Sequence, residues 1–142
     1  MKHATIYVLI GMAILGLCFS PHAIASEEKE KEAVAAAQAW LALIDEGKYG
    51  QSWETAALYF TSSITKERWQ QMLTALRKPL GKLVSRELAS KTFTNSLSGA
   101  PDGEYVVIQF KTSYQYKKSG IETVTPMLDI DGKWRVSGYY IK

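Results

Sequence analysis

The chain has 142 residues, with 17 Lys and Arg against 14 Asp and Glu, two histidines and a single cysteine. A formal charge of +3 alongside 46% apolar residues carries no nucleic-acid footprint and is enough apolar matter for one packed core. One cysteine excludes an internal disulfide.

The first 25 residues read as a secretory leader. Lys2 and His3 form a basic start, Ile6 to Phe19 is apolar and uncharged, and Ala23-Ile24-Ala25 supplies the small residues before a cut. The cut then falls before Ser26. The apolar core, about 14 residues, is shorter than the roughly 20 that span a bilayer. Cys18 could instead carry a lipid, but Leu17 is bulky for that role. Expected localisation is therefore outside the cytoplasm, periplasmic or secreted, with one domain over residues 26–142.

Both histidines (His3 and His22) and Cys18 lie in the leader, so the mature chain lacks His and Cys. That leaves no Ser-His-Asp triad, no thiol nucleophile and no ordinary zinc site. Catalysis would have to use carboxylates, Tyr, Lys or Arg. No catalytic or metal-binding residue is assigned, and no cofactor is expected.

Ser26 to Glu32 reads as a charged lead-in whose first turns fray. From Ala33 the spacing is helical: Ala33, Ala37, Trp40, Leu41 and Ile44 share one face, and Gly47 caps the end. A second helix is expected from about Tyr49 or Gln51 to Phe60, with Trp53, Ala56, Ala57 and Phe60 as its stripe. Thr61-Ser62-Ser63 breaks the pattern, and Ser63 or Thr65 caps a third helix carrying Trp69, Met72, Leu73 and Leu76. Pro79 and Gly81 end it.

The period then changes to two. Val106, Ile108, Phe110, Thr112 and Tyr114 alternate with Tyr105, Val107, Gln109, Lys111 and Ser113, which predicts a strand with the first set facing the helices. Val84 to Phe93 is a more polar strand. Ile121 to Ile130 is a third, where Pro126 calls for an edge or a bulge. Trp134 to Ile141 is a fourth. Turns are expected at 98–103, at Lys117-Lys118-Ser119-Gly120 and at Asp131-Gly132. Links this short join antiparallel neighbours, so the fold class is α+β: three helices on a four-stranded antiparallel meander.

Trp40-Leu41, Asp45-x-Gly47-x-Tyr49, Ser52-Trp53-x-x-Ala56-Ala57-x-x-Phe60, Trp69, Arg77-x-Pro79-Leu80-Gly81, Arg86, Pro101-x-Gly103-x-Tyr105 and Trp134-Arg135-Val136-x-Gly138-Tyr139 together resemble the bacterial family catalogued as domain of unknown function 4019, DUF4019. The likeness covers nearly all of the mature chain and implies no activity. The layout is also similar to the cone-shaped fold of nuclear transport factor 2 (NTF2-like) and ketosteroid isomerase, a likeness of architecture that assigns no function.

Trp40, Trp53 and Trp69 fall on the stripes of three different helices. They are either core or the wall of a ligand cavity, since indole N–H groups need partners. Arg77 and Arg86 flank Pro79-Leu80-Gly81; they suit an anion, or they pair with acids such as Asp45 or Glu87. Asp45 reads as a helix-terminal polar residue. Asp129-x-Asp131-Gly132 opens like a calcium loop but lacks the later ligands, so it reads as a hairpin turn. Tyr139 and Tyr140 point to opposite faces of the last strand, and Tyr139 joins the candidate ligand-binding set. The expected function is a non-enzymatic module that holds a small apolar or amphipathic ligand or forms a homodimer through the sheet. The alternative is an isomerase- or hydratase-like enzyme using carboxylate and tyrosine.

Overall fold

The computed structural model describes residues 20–142. The basic start, the apolar core and Cys18 of the expected leader lie outside the described residues. Four α-helices come first: α1 Pro21–Asp45, α2 Tyr49–Glu54, α3 Leu58–Ser63 and α4 Lys66–Arg77, the last running into a short 3-10 turn at Lys78–Leu80. Four strands follow: β1 Leu83–Thr94, β2 Tyr105–Tyr114, β3 Lys117–Leu128 and β4 Trp134–Ile141. They form one antiparallel sheet in the order β1-β2-β3-β4. The helices cover one face of it.

The five apolar residues expected on the first helix are its five buried ones. Gly47 takes a left-handed φ of 74° just past the helix end, where Lys48 N–H donates to the Leu43 carbonyl at 2.8 Å. Ser26 to Glu32 is no frayed lead-in, however. It is helical, and two of its charges are engaged: Lys29 with Glu104 at 2.5 Å and Glu30 with Lys91 at 3.6 Å. Glu30 also accepts the backbone N–H of Phe93 on β1 at 3.3 Å.

The expected second helix is two helices, giving four in place of three. Ala57 is extended, and its N–H donates to the Val136 carbonyl on β4 at 2.9 Å. That bond to a distant strand outcompetes continuation of the helix. Thr61, Ser62 and Ser63 lie inside α3, and Thr65 is the cap of α4, accepting from Arg68 N–H at 3.2 Å. Met72, expected on the buried stripe, is exposed. Trp53 is half-buried at the margin of the core, with its indole N–H on the Ile64 carbonyl at 2.8 Å.

In β2 the alternation holds from Val106 to Tyr114, with Lys111 fully outward. Tyr105 departs from it. It is buried, because the β1–β2 loop folds over it and Pro101 accepts its hydroxyl at 2.6 Å. Pro126 is in an inner strand, and a bulge between Thr125 and Pro126 accommodates its missing N–H. Lys117 to Gly120 is strand and not turn. The turn is Gln115-Tyr116, tied by its N–H groups to the carbonyls of Lys82 at 2.8 Å and Leu80 at 3.0 Å. Gly132, with φ of 78°, closes the last hairpin as expected, and its N–H donates to the Asp129 carbonyl at 2.9 Å.

Candidate functional site

Every strand contributes to a polar cluster on the face under the helices. Register places Arg86 of β1 opposite Thr112, Glu122 of β3 opposite Phe110 and Tyr139 of β4 opposite Val124, all on the side of the buried β2 residues. Tyr114 ends that row on β2. The helices add Asp45 at the end of α1 and Arg77 at the end of α4. Six residues from six elements therefore converge.

Glu122 is the centre and is completely buried. One carboxylate oxygen accepts from Arg86 Nε at 2.5 Å. The other accepts the hydroxyls of Tyr139 at 2.6 Å and Tyr114 at 3.0 Å, with Arg77 Nη1 3.9 Å away. Asp45 accepts from Arg86 Nη1 at 2.6 Å, Arg86 Nη2 at 3.0 Å and Arg77 Nη2 at 2.9 Å, while Arg77 Nη1 donates to the Tyr139 hydroxyl at 3.5 Å. The Arg77 guanidinium also lies 5.0 Å from the centre of the Tyr114 ring. Two carboxylates meet two guanidiniums, so the cluster is neutral and each charge has a partner of opposite sign. A buried charge without such partners would be costly.

The network sets its own ionisation. Burial alone would raise the Asp45 pKa, but the hydrogen bonds and charge of Arg86 and Arg77 outweigh it and hold the group below the usual value. Burial and the Glu122 charge push Tyr114 up to about 12. Burial, and then Glu122, push Tyr139 far above the usual tyrosine range. A lowered acid stabilises the fold above its unfolded pKa of about 3.9, and that stability is lost as pH falls through the folded value. A raised tyrosine stabilises the fold below its unfolded pKa of about 10, and that stability is lost as pH rises through the folded value. We therefore expect the melting temperature to fall between about pH 10 and pH 12. Thermal melts of the Tyr114→Phe, Tyr139→Phe double variant should show a shallower alkaline decline. An unchanged decline would place the sensitive groups elsewhere.

An aromatic layer backs the network. The Tyr139 ring lies 5.4 Å from Trp40 and 6.2 Å from Trp69, and Trp69 meets Phe60 edge-on at 4.8 Å. Buried Ser52 satisfies both indoles: its carbonyl accepts from Trp40 at 2.8 Å and its hydroxyl from Trp69 at 2.9 Å. The ligand-binding candidates thus divide. Arg77, Arg86 and Tyr139 meet, and Trp40 and Trp69 pack on them, whereas Trp53 stands apart. Arg86 pairs with Asp45, as one reading held, but not with Glu87, which lies on the opposite face across from Lys111. Glu122 and Tyr114 went unassigned in the sequence. The available signal was parity: Glu122 shares its side of β3 with Val124.

A groove of about 750 Å³ opens outside the network, lined by Asp45, Tyr49, Arg77, Lys78, Gly81, Lys82 and their neighbours. It reaches the rim of the cluster and not Glu122, Tyr114, Trp69 or Tyr139.

The arrangement defines a class of protein: a small α+β domain whose helices cover one face of an antiparallel meander, with a charge-balanced polar cluster at their junction. The chain belongs to the family described as Protein of unknown function (DUF4019), whose sequence model matches residues 36–139. That span includes all six residues of the cluster. No curated protein matches the chain.

Proposed function

We propose that this protein is a non-enzymatic binding module in a cone-shaped, NTF2-like domain, working after export to the periplasm or beyond. The observation that carries the reading is the saturation of Glu122. An isomerase-like site needs a carboxylate and a tyrosine hydroxyl that can turn toward a substrate. Here Glu122 has no exposure, and the hydroxyls of Tyr139 and Tyr114 are directed at it. The alternative of an isomerase or hydratase is therefore the weaker one.

Export is supported by the leader pattern and by α1 itself. Pro21 to Ala25 is exposed, and the first cross-domain ion pairs begin at Lys29 and Glu30, so a cut before Ser26 removes none of them. Pairing through the outer sheet face is less favoured, because Tyr105 is covered by its own loop and no longer adds apolar surface there.

The test uses 2-naphtholate, an oxyanion that would accept from Tyr139 if that hydroxyl were available. The expected result is no perturbation of Tyr139 or Trp69 resonances on titration. Saturable binding at Tyr139, lost in Tyr139→Phe, would overturn the non-enzymatic reading.

A further inference from the structure

A second groove runs along the other flank of α1, against the start of β4. Ala36, Ala39 and Leu43 form one wall, Trp40 and Val136 the floor, and Trp134 the far side, enclosing about 290 Å³. The small side chains at 36 and 39 are what leave it open. Its size, near the low end of ligand pockets, suits one short chain.

Its polar groups are of one kind. Trp40, Trp53 and Trp69 each donate their indole N–H to a protein oxygen. The indole N–H of half-buried Trp134 is bonded to no protein acceptor among the described residues and is open to solvent or a ligand. Lys133, at the mouth, forms no ion pair among the described residues, while neighbouring Arg135 is held by Asp129 at 3.3 Å and Asp131 at 2.7 Å. The Thr55 hydroxyl is spent on Gln51 at 3.0 Å. The groove therefore offers an apolar wall and two free donors, one of them charged. That complements an apolar chain with an anionic head.

We propose that this groove binds a free short-chain fatty carboxylate, its tail along Ala36, Ala39 and Leu43 and its carboxylate at Lys133 and the Trp134 N–H. The proposal rests on the binding reading above and gives it a site and a ligand class.

The test is calorimetric and fluorescence titration of the mature protein with octanoate, below its micellar concentration. Saturable one-to-one binding is expected, with a change in tryptophan emission that Trp134→Phe removes. Lys133→Glu should weaken binding tenfold or more. Ala39→Leu, at an exposed position, should fill the groove and abolish binding with the melting temperature unchanged. Equal affinity for octyltrimethylammonium would overturn the proposal, as would binding that survives Ala39→Leu. Binding only to phosphatidylglycerol vesicles would assign the groove to a membrane surface and also overturn it. Absence of octanoate binding, with Tyr139 silent toward 2-naphtholate, sinks this site alone; naphtholate at Tyr139 sinks the reading beneath it.

Discussion

Glu122→Ala should cost about 3–5 kcal/mol of folding stability, the range for breaking a buried ion pair from one side. The change removes the acceptor of Arg86 Nε and of two tyrosine hydroxyls at once. Arg77 and Arg86 are then left with Asp45 as their sole carboxylate, and the cluster gains a net positive charge inside the domain. Glu122→Gln keeps the volume and a carbonyl acceptor but loses the charge, so it should fall between wild type and alanine. Urea unfolding of the three proteins decides the matter. A loss below about 1 kcal/mol for alanine would mean that water or a rearranged Asp45 replaces the carboxylate, and that the cluster is not what holds helices to sheet.

Trp69→Ala should be comparably severe, about 3–5 kcal/mol, because a large buried ring is removed and a cavity remains. Trp69 is 3% exposed and touches Trp40, Phe60 and Tyr139. Its loss also leaves the Ser52 hydroxyl without its indole donor. Trp53→Ala is the internal control. Sequence spacing makes Trp53 the centre of a helical stripe; its half-buried place at the core margin makes its truncation the milder of the two. Parallel denaturant melts should rank Trp69→Ala well below Trp53→Ala in stability. The reverse order would mean that the core centre lies over α2 and not over α4.

What the sequence made legible was whatever depends on neighbours along the chain. The stripe of α1, a helix cap at Ser63 or Thr65, the inward row of β2 from Val106 and an edge or bulge at Pro126 all follow from spacing or from single-residue chemistry. The pairing of Arg77 and Arg86 with Asp45 was open to inference because charges near chain turns need partners. What failed depended on bonds between distant segments. Ala57 leaves the helix because Val136 offers a carbonyl, and the turn sits at Gln115-Tyr116 because Lys82 and Leu80 hold it. Lys117-Lys118-Ser119-Gly120 looks like a turn by composition, yet Gly120 is a strand residue. A side chain there would press within 3.2 Å of the Lys142 carbonyl and the Thr112 hydroxyl. Glu122 lies inside the expected third strand and shares parity with Val124; what the sequence does not carry is the β2–β3 register that sets it opposite buried Phe110.

The position of Tyr139 also governs when the domain can form. The strands follow one another along the chain and can pair in order, but the Tyr139 ring of the aromatic layer and its hydroxyl on Glu122 come from β4, the last of them. Ala57 likewise waits for Val136 across the whole length between them. Closing loops that long costs entropy before any contact repays it. The core is therefore complete only once β4 has docked, which makes that docking, and not the formation of any one helix, the step that closes the domain.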